Sequence, residues 1–143
     1  MSRADFYVLS QEGPDARLRI ACRLVEKAFD QGIRVYVQTG SLTDAQRLDD
    51  LLWTFNDRSF IPHEIMQGGA ATHERVAVLL GDAPAPSSHR QLLINLTNAL
   101  PADLDSFERI AEIVDLDPES KRLSRERYKT YRERGWQLES HNL

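Results

Sequence analysis

The chain alternates short strand-like runs with amphipathic helical segments, and this alternation constrains the fold more than any single motif. The runs predicted as strands are apolar or β-branched and cover residues 5–10, 33–39, 75–81 and 91–96. Residues 58–65 are strand-like at both ends but are interrupted by Pro62. Helical spacing of apolar residues and helix end signals predict helices over 15–32, 41–55 and 118–135, with a helical turn near 103–107.

Residues 108–116 (ERIAEIVDL) fit a strand or a helix by pattern alone. We favour a strand, because Asp117 and Pro118 directly after it are typical of the start of a separate helix. Strands separated by helices of this length predict a single three-layer α/β/α domain over residues 1–143. Its sheet is expected to be mostly parallel and Rossmann-like.

Composition predicts an ordinary soluble protein. Of 143 residues, 41% are hydrophobic and 28% charged, with a formal net charge of −4. Cys22 is the one cysteine, which excludes an intramolecular disulfide, and its apolar surroundings predict a buried thiol. The first residues do not resemble a signal peptide, and no stretch has the length of a membrane span, so we expect a cytoplasmic protein without membrane contact.

The motifs of nucleotide-binding and catalytic α/β proteins are missing from the sequence. There is no GxxxxGK loop, the first strand is followed by QEGPD with one glycine, and no GxSxG elbow occurs. The four histidines (His63, His73, His89 and His141) are scattered, so we expect solvated side chains and no metal site. We therefore predict no cofactor and no catalytic residue, and hence a protein that is not an enzyme.

Positive charge is concentrated near the C-terminus. Residues 121–134 contain seven of the eighteen Lys and Arg residues, whereas residues 1–116 carry 11 basic and 17 acidic side chains. On a helix, Lys121, Arg125, Lys129 and Arg132 fall within about 80° of one another, with Tyr128 at the border. We expect Leu123, Arg127 and Thr130 on the opposite side. A charged helix face of this kind is often only solvated, but the four cations have no acidic helical neighbour within the stripe, which favours an acidic partner.

Aromatic residues are concentrated in a second segment, LLWTFNDRSFIPHE. Phe55 continues the inward face of its helix and is expected in the core, whereas Trp53, Phe60 and Pro62 surround a polar turn. Rigid aromatic side chains near a loop are typical of protein–protein hot spots, so this segment is a candidate interface.

Three blocks together, DFYVLS, RLDDLLWTFNDRSFIPHE and LSRERYKTYRERGW, resemble the chi subunit of bacterial DNA polymerase III. The resemblance covers the whole chain. It implies a non-catalytic accessory subunit of the clamp loader in DNA replication, with polymerase activity residing in the holoenzyme. In that family, chi pairs with the psi subunit and binds the acidic C-terminal tail of the single-stranded-DNA-binding protein.

The resemblance also implies site residues. The tail-binding residues it indicates are Lys121, Arg125, Tyr128, Lys129 and Trp136, and the psi-facing residues are Trp53, Phe60 and Pro62. DNA would then be contacted only indirectly, through these partners. The alternative left open by the residues is a domain that binds nucleic acid directly with its basic C-terminal helix.

Overall fold

The computed structural model describes residues 2–13, 15–56, 60–66 and 76–143. Seven strands occur in this part of the chain: β1 (Arg3–Val8), β2 (Val35–Gln38), β3 (His63–Ile65), β4 (Val78–Gly81), β5 (Leu92–Asn95), β6 (Arg109–Val114) and β7 (Gln137–Asn142). The α-helices are α1 (Ala16–Asp30), α2 (Leu42–Thr54) and α3 (Pro118–Glu133), and a short 3₁₀ helix spans Leu104–Ser106.

The strands form one sheet in the order β3-β4-β2-β5-β6-β1-β7, and all of their pairings are parallel. The predicted α/β class and parallel sheet are confirmed, and 108–116 contains a strand as favoured. Strand β7 was not predicted from the sequence. Its residues, QLESHN, are largely exposed at the edge of the sheet, so they lack the apolar alternation that marks a half-buried strand.

Helices cover both faces of the sheet. On one face, α1 and α2 pack through Leu18, Val25, Leu48 and Leu52. On the other face, the 3₁₀ helix and α3 pack against β1, β2 and β6. This is the predicted three-layer arrangement, and it places α2 and α3 on opposite sides of the sheet.

The helix end signals act as predicted in most cases. The Asp117 carboxylate accepts a 3.0 Å hydrogen bond from the Ser120 amide at the start of α3. Gly135 adopts φ 78 just after the helix, a conformation that favours glycine. Asp15 precedes α1 but makes no capping bond, and its carboxylate pairs with Arg47 of α2 instead. None of the described helices combines the length and apolar character needed to cross a membrane.

Cys22 lies in the core with no exposed area, as predicted. Burial raises the pKa of its thiol to about 12, so the reactive thiolate is strongly disfavoured near neutral pH.

Candidate functional site: two binding surfaces

The basic stripe of α3 (Lys121, Arg125, Lys129 and Arg132) has exposed side chains except for half-buried Lys121. Within the described part of the chain, none of the four forms an ion pair. Two acidic residues of the same helix are engaged by another cation, since Arg122 contacts Glu119 at 2.5 Å and Glu126 at 3.1 Å. The stripe is therefore a positive surface free to meet an external anion.

The packed face of α3 differs from the sequence expectation. Its buried residues are Ser120, Ser124, Arg127 and Tyr131. Leu123 and Thr130, expected with Arg127 on the face opposite the stripe, are only partly buried. A largely polar packed face is invisible to apolar periodicity, which explains the wrong assignment.

Glu112 of β6 explains why a polar helix face can be buried. Its carboxylate accepts hydrogen bonds from Arg127 Nε at 3.1 Å, Tyr131 Oη at 2.8 Å and Asn95 Nδ2 at 3.0 Å. Arg127 also donates to the Asn98 carbonyl at 2.9 Å. Every charged or polar group brought into this interface has a partner, as burial requires.

Burial raises the pKa of Glu112, although the Arg127 charge and the donors from Tyr131 and Asn95 oppose the rise. Burial likewise raises the pKa of Tyr131, reinforced by the nearby Glu112 charge. The tyrosine therefore keeps its proton and remains a donor to the carboxylate. The sequence signal for this network was a glutamate in the middle of the apolar run IAEIV.

The two aromatic residues assigned to the tail site lie at different depths. Tyr128 is half-buried beside the stripe, with its ring centroid 5.3 Å from that of Phe6. Trp136 is only 8% exposed and packs on Tyr131, with a centroid separation of 5.0 Å. Tyr128 is thus accessible to a ligand, whereas Trp136 belongs mainly to the core behind it.

A second surface lies at the end of α2. Trp53 is 48% exposed and Phe60 is 70% exposed, and their ring centroids are 5.5 Å apart. Pro62 is exposed beside them, while Ile61 is buried. We call Trp53, Phe60 and Pro62 the aromatic surface. Two large exposed rings in contact form an apolar patch of the kind found at protein interfaces.

The histidines do not behave as the sequence suggested. His63 and His89 are buried, whereas His141 is partly exposed and His73 lies outside the described residues. The expectation of solvated side chains is wrong for His63 and His89. Both bond to carbonyl oxygens, His63 to Ile61 at 2.7 Å and His89 to Val76 at 2.5 Å, and sequence alone could not show these contacts.

The two surfaces are far apart. The aromatic surface adjoins β3 at one edge of the sheet, whereas α3 connects β6 to β7 at the other end. At ordinary strand spacing, β3 and β6 are about 19 Å apart. The basic stripe and the aromatic surface are therefore separate, since α2 and α3 also lie on opposite faces of the sheet.

The carboxyl ends of β1 and β6 border a crevice of about 370 Å³, the usual ligand position in open parallel sheets. Arg17 lies in it, 3.5 Å from the Asp115 carboxylate, and donates to the Leu96 carbonyl at 2.8 Å. Glu12 and Asp117 add negative charge to the lining. This acidic crevice is poorly suited to a phosphate group.

Asp5, Glu139 and His141 bring three potential metal-ligand atoms within 4.8 Å of one another. However, the Asp5 carboxylate already accepts hydrogen bonds from Arg3 at 2.9 Å and Arg109 at 3.1 Å. Two guanidinium groups at this carboxylate favour an ion-pair cluster over a bound cation. Its members come from β1, β6 and β7, so the sequence could not have shown their proximity.

Taken together, the described residues form a three-layer α/β domain with two separate exposed surfaces, one basic and one aromatic. The family model for the DNA polymerase III chi subunit, HolC, matches residues 1–139. The chain belongs to this family of replication accessory subunits.

Relatives support the assignment along the whole chain. The chain is 41% identical to DNA polymerase III subunit chi of Pseudomonas aeruginosa over 143 residues, covering all of this chain and 98% of that protein. It is 30% identical to the Escherichia coli subunit over 142 residues, covering 96% of each chain. The resemblance to the chi family read from the sequence is confirmed.

Among solved structures, T4 UvsW has a similar fold, with a TM-score of 0.66 and 7% sequence identity. The similarity covers 99% of this chain and 41% of that one. At this identity the likeness concerns the fold alone.

Proposed function

We propose that this chain is a non-catalytic adaptor of the DNA polymerase III holoenzyme. It would link the clamp loader, through the psi subunit, to the acidic C-terminal tail of the single-stranded-DNA-binding protein. The tail-binding part of this proposal is supported by the basic stripe, whose cations have no acidic partner among the described residues. Desolvating such a surface is favourable only if an anion replaces water.

The chemistry of the tail fits the stripe and its surroundings. The tail is a run of aspartates that ends in an apolar Ile-Pro-Phe with a free carboxylate. Lys121, Arg125 and Lys129 would bind the acidic groups, and Arg125 would hold the terminal carboxylate, since a guanidinium can bind it in bidentate fashion. Tyr128 would contact the phenylalanine, with Trp136 supporting the pocket from the core.

The aromatic surface would bind psi. Trp53 is 48% exposed and Phe60 is 70% exposed, so a partner could cover the remaining surface of both rings at small conformational cost. With separate surfaces, tail and psi would bind at the same time, and DNA would be reached only through these proteins.

Direct binding of nucleic acid is the second candidate, because four unpaired cations would also fit phosphates. The net charge of −4 argues against a broad basic footprint. Fluorescence anisotropy with a labelled tail peptide and with oligo-dT distinguishes the adaptor function from direct binding of nucleic acid. We expect saturable binding of the peptide and weak binding of oligo-dT. Tight oligo-dT binding without peptide binding would contradict the adaptor function.

The absence of catalysis is also open to test. We expect no ATP hydrolysis from the purified chain, since its sequence has no phosphate-binding loop and its crevice is acidic. ATPase turnover that co-purified with the protein and was lost in a point variant would contradict this expectation.

A further inference from the structure

The aromatic surface is bordered by negative charge. Asp49 and Asp50 stand four and three residues before Trp53 on α2, so the three side chains share one side of the helix. Asp50 is exposed and forms no ion pair among the described residues, whereas Asp49 lies 2.9 Å from Nε2 of His63. Residues 48–66 contain four acidic side chains and one basic side chain. The apolar patch therefore lies in acidic surroundings.

The end of α2 adds to this negative charge. Its last turn contains no basic residue, whereas Lys27 occupies the last turn of α1 and Arg132 that of α3. The C-terminus of a helix carries about half an elementary negative charge on its unpaired carbonyl groups, and a nearby cation stabilises it. Of the three described α-helices, only the one that ends beside the aromatic surface lacks such a cation. A basic group of a partner would meet a favourable potential there.

The exposed rings favour the same sign of charge. The planes of Trp53 and Phe60 are inclined by 39°, and their centroids are 5.5 Å apart. The faces of aromatic rings are electron-rich and attract a cation that lies within about 6 Å of the ring centroid. The carboxylates, the helix end and the ring faces thus all attract a basic side chain and repel an anion.

We propose that Asp50, together with Asp49, makes the aromatic surface selective for a basic segment of psi and excludes the acidic tail. An apolar side chain of psi covers the two rings, while a neighbouring Lys or Arg of psi pairs with Asp50. This inference rests on the proposed function of the aromatic surface in binding psi.

The tail must be excluded because its apolar end is chemically suited to exposed aromatic rings. Ile-Pro-Phe alone could pack on Trp53 and Phe60. The aspartates that precede it decide between the surfaces, since they meet carboxylates at Asp49 and Asp50 but cations on α3. Residues 118–135 contain seven basic and three acidic side chains. A repulsive element at the wrong site is a common source of specificity.

Selectivity for psi is tested by calorimetric titration of the full chain at low ionic strength. Asp50→Asn should weaken psi binding by about two- to fivefold, the range for an exposed ion pair. Asp50→Lys places like charges together and should weaken it by at least about tenfold. Raising the salt concentration should weaken wild-type binding, because salt screens exposed charges.

Glu108→Lys is the matched control for Asp50→Lys. It makes the same change of charge at an exposed residue directly before β6, four strands away from β3, and should keep wild-type psi affinity. Psi affinity of Asp50→Lys within about twofold of the Glu108→Lys value would overturn the inference.

Exclusion of the tail is tested with the tail peptide in the absence of psi. We expect a single peptide site on the wild type and a second, weaker site on the double variant Asp49→Asn with Asp50→Lys. Adding Trp53→Ala to the double variant should remove the second site. A double variant that still bound only a single peptide would overturn the exclusion of the tail by these carboxylates.

These outcomes separate this inference from the function on which it rests. Absence of psi binding by the wild type would contradict the proposed function, whereas a second tail site on the double variant would still support selectivity. Psi binding that was lost in Trp53→Ala but unchanged in Asp50→Lys would support the proposed function and overturn the selectivity.

Discussion

Arg127 Nε of α3 lies 3.1 Å from Glu112 Oε1 of β6, and both side chains are almost fully removed from solvent. This ion pair joins the helix that carries the basic stripe to strand β6 of the sheet. Tyr131 and Asn95 supply the remaining donors to the carboxylate. The direction in which the stripe faces is therefore set by a buried polar network, in which each group depends on the others.

Arg127→Met should lower the free energy of unfolding by about 3–5 kcal/mol, because it leaves the Glu112 charge buried without its counter-ion. Urea denaturation monitored by circular dichroism measures the loss. The double variant Arg127→Met with Glu112→Leu removes both charges and should recover much of the stability. A single variant as stable as the wild type would show that the pair contributes little.

Asp5→Asn should reduce stability at neutral pH by about 1–2 kcal/mol, a modest value because Arg3 and Arg109 are partly exposed. Burial alone would raise the pKa of Asp5, but hydrogen bonds from Arg3, His141 and Arg109 outweigh it and lower the pKa overall. The ionised carboxylate thus stabilises the fold above the unfolded-state pKa of about 3.9, and this contribution is lost as pH falls through the folded-state value.

The difference in stability between wild type and Asp5→Asn should therefore narrow below about pH 4. Thermal denaturation at a series of pH values provides the measurement. Glu139→Gln is the matched control, because Glu139 is exposed and its loss should have a smaller effect. A stability difference between wild type and Asp5→Asn that stayed constant down to about pH 2 would contradict the lowered pKa of Asp5.

Arg125→Ala should weaken binding of the tail peptide by about 1.5–3 kcal/mol, the range for a hydrogen bond to a charged group. The fold should be unaffected, since the side chain is exposed. Isothermal titration calorimetry measures the change. Arg122→Ala removes the same charge from the same helix, but at a position already paired with Glu119 and Glu126, and should have a much smaller effect.

Trp53→Ala or Phe60→Ala should weaken psi binding by at least about 2 kcal/mol, as is typical of hot-spot aromatic residues. Tail-peptide affinity should stay within a factor of about two, because distant sites are usually additive. Arg125→Ala should show the reverse behaviour and retain psi. Titrations of each variant against both partners test the separation. A correctly folded variant that lost both partners would indicate a single shared surface.

Alternation along the chain was enough to predict the α/β class and the parallel three-layer sheet, but not the order of the strands. Parallel strands covered on both faces, such as β4 and β5, require apolar runs. Helix ends such as Asp117 and Gly135 require particular side chains or backbone conformations. Both features can therefore be recognised from a short stretch of sequence. The strand β7 was missed because its stability comes from pairing with β1 and not from its own apolar residues.

The candidate surfaces were predicted only in part. Helical geometry places the residues of the basic stripe together, since they are neighbours on one helix. The contacts beneath both surfaces depend on residues distant in sequence, such as Glu112 with Tyr131 and Asp49 with His63. Polar residues buried by such contacts have no local pattern, so Trp136 and the histidines were harder to place than the exposed cations.

The position of β1 has a consequence for how the chain folds. Arg3 pairs with Arg109 on one side and with Gln137 on the other, so both neighbours of this strand come more than 100 residues later in the sequence. Contacts this distant must wait for large loops to close, which slows their formation. We expect β2, β4 and β5 to assemble earlier, because they lie closer together in sequence. Of the described strands, β1 is the first in chain order and is then among the last to pair.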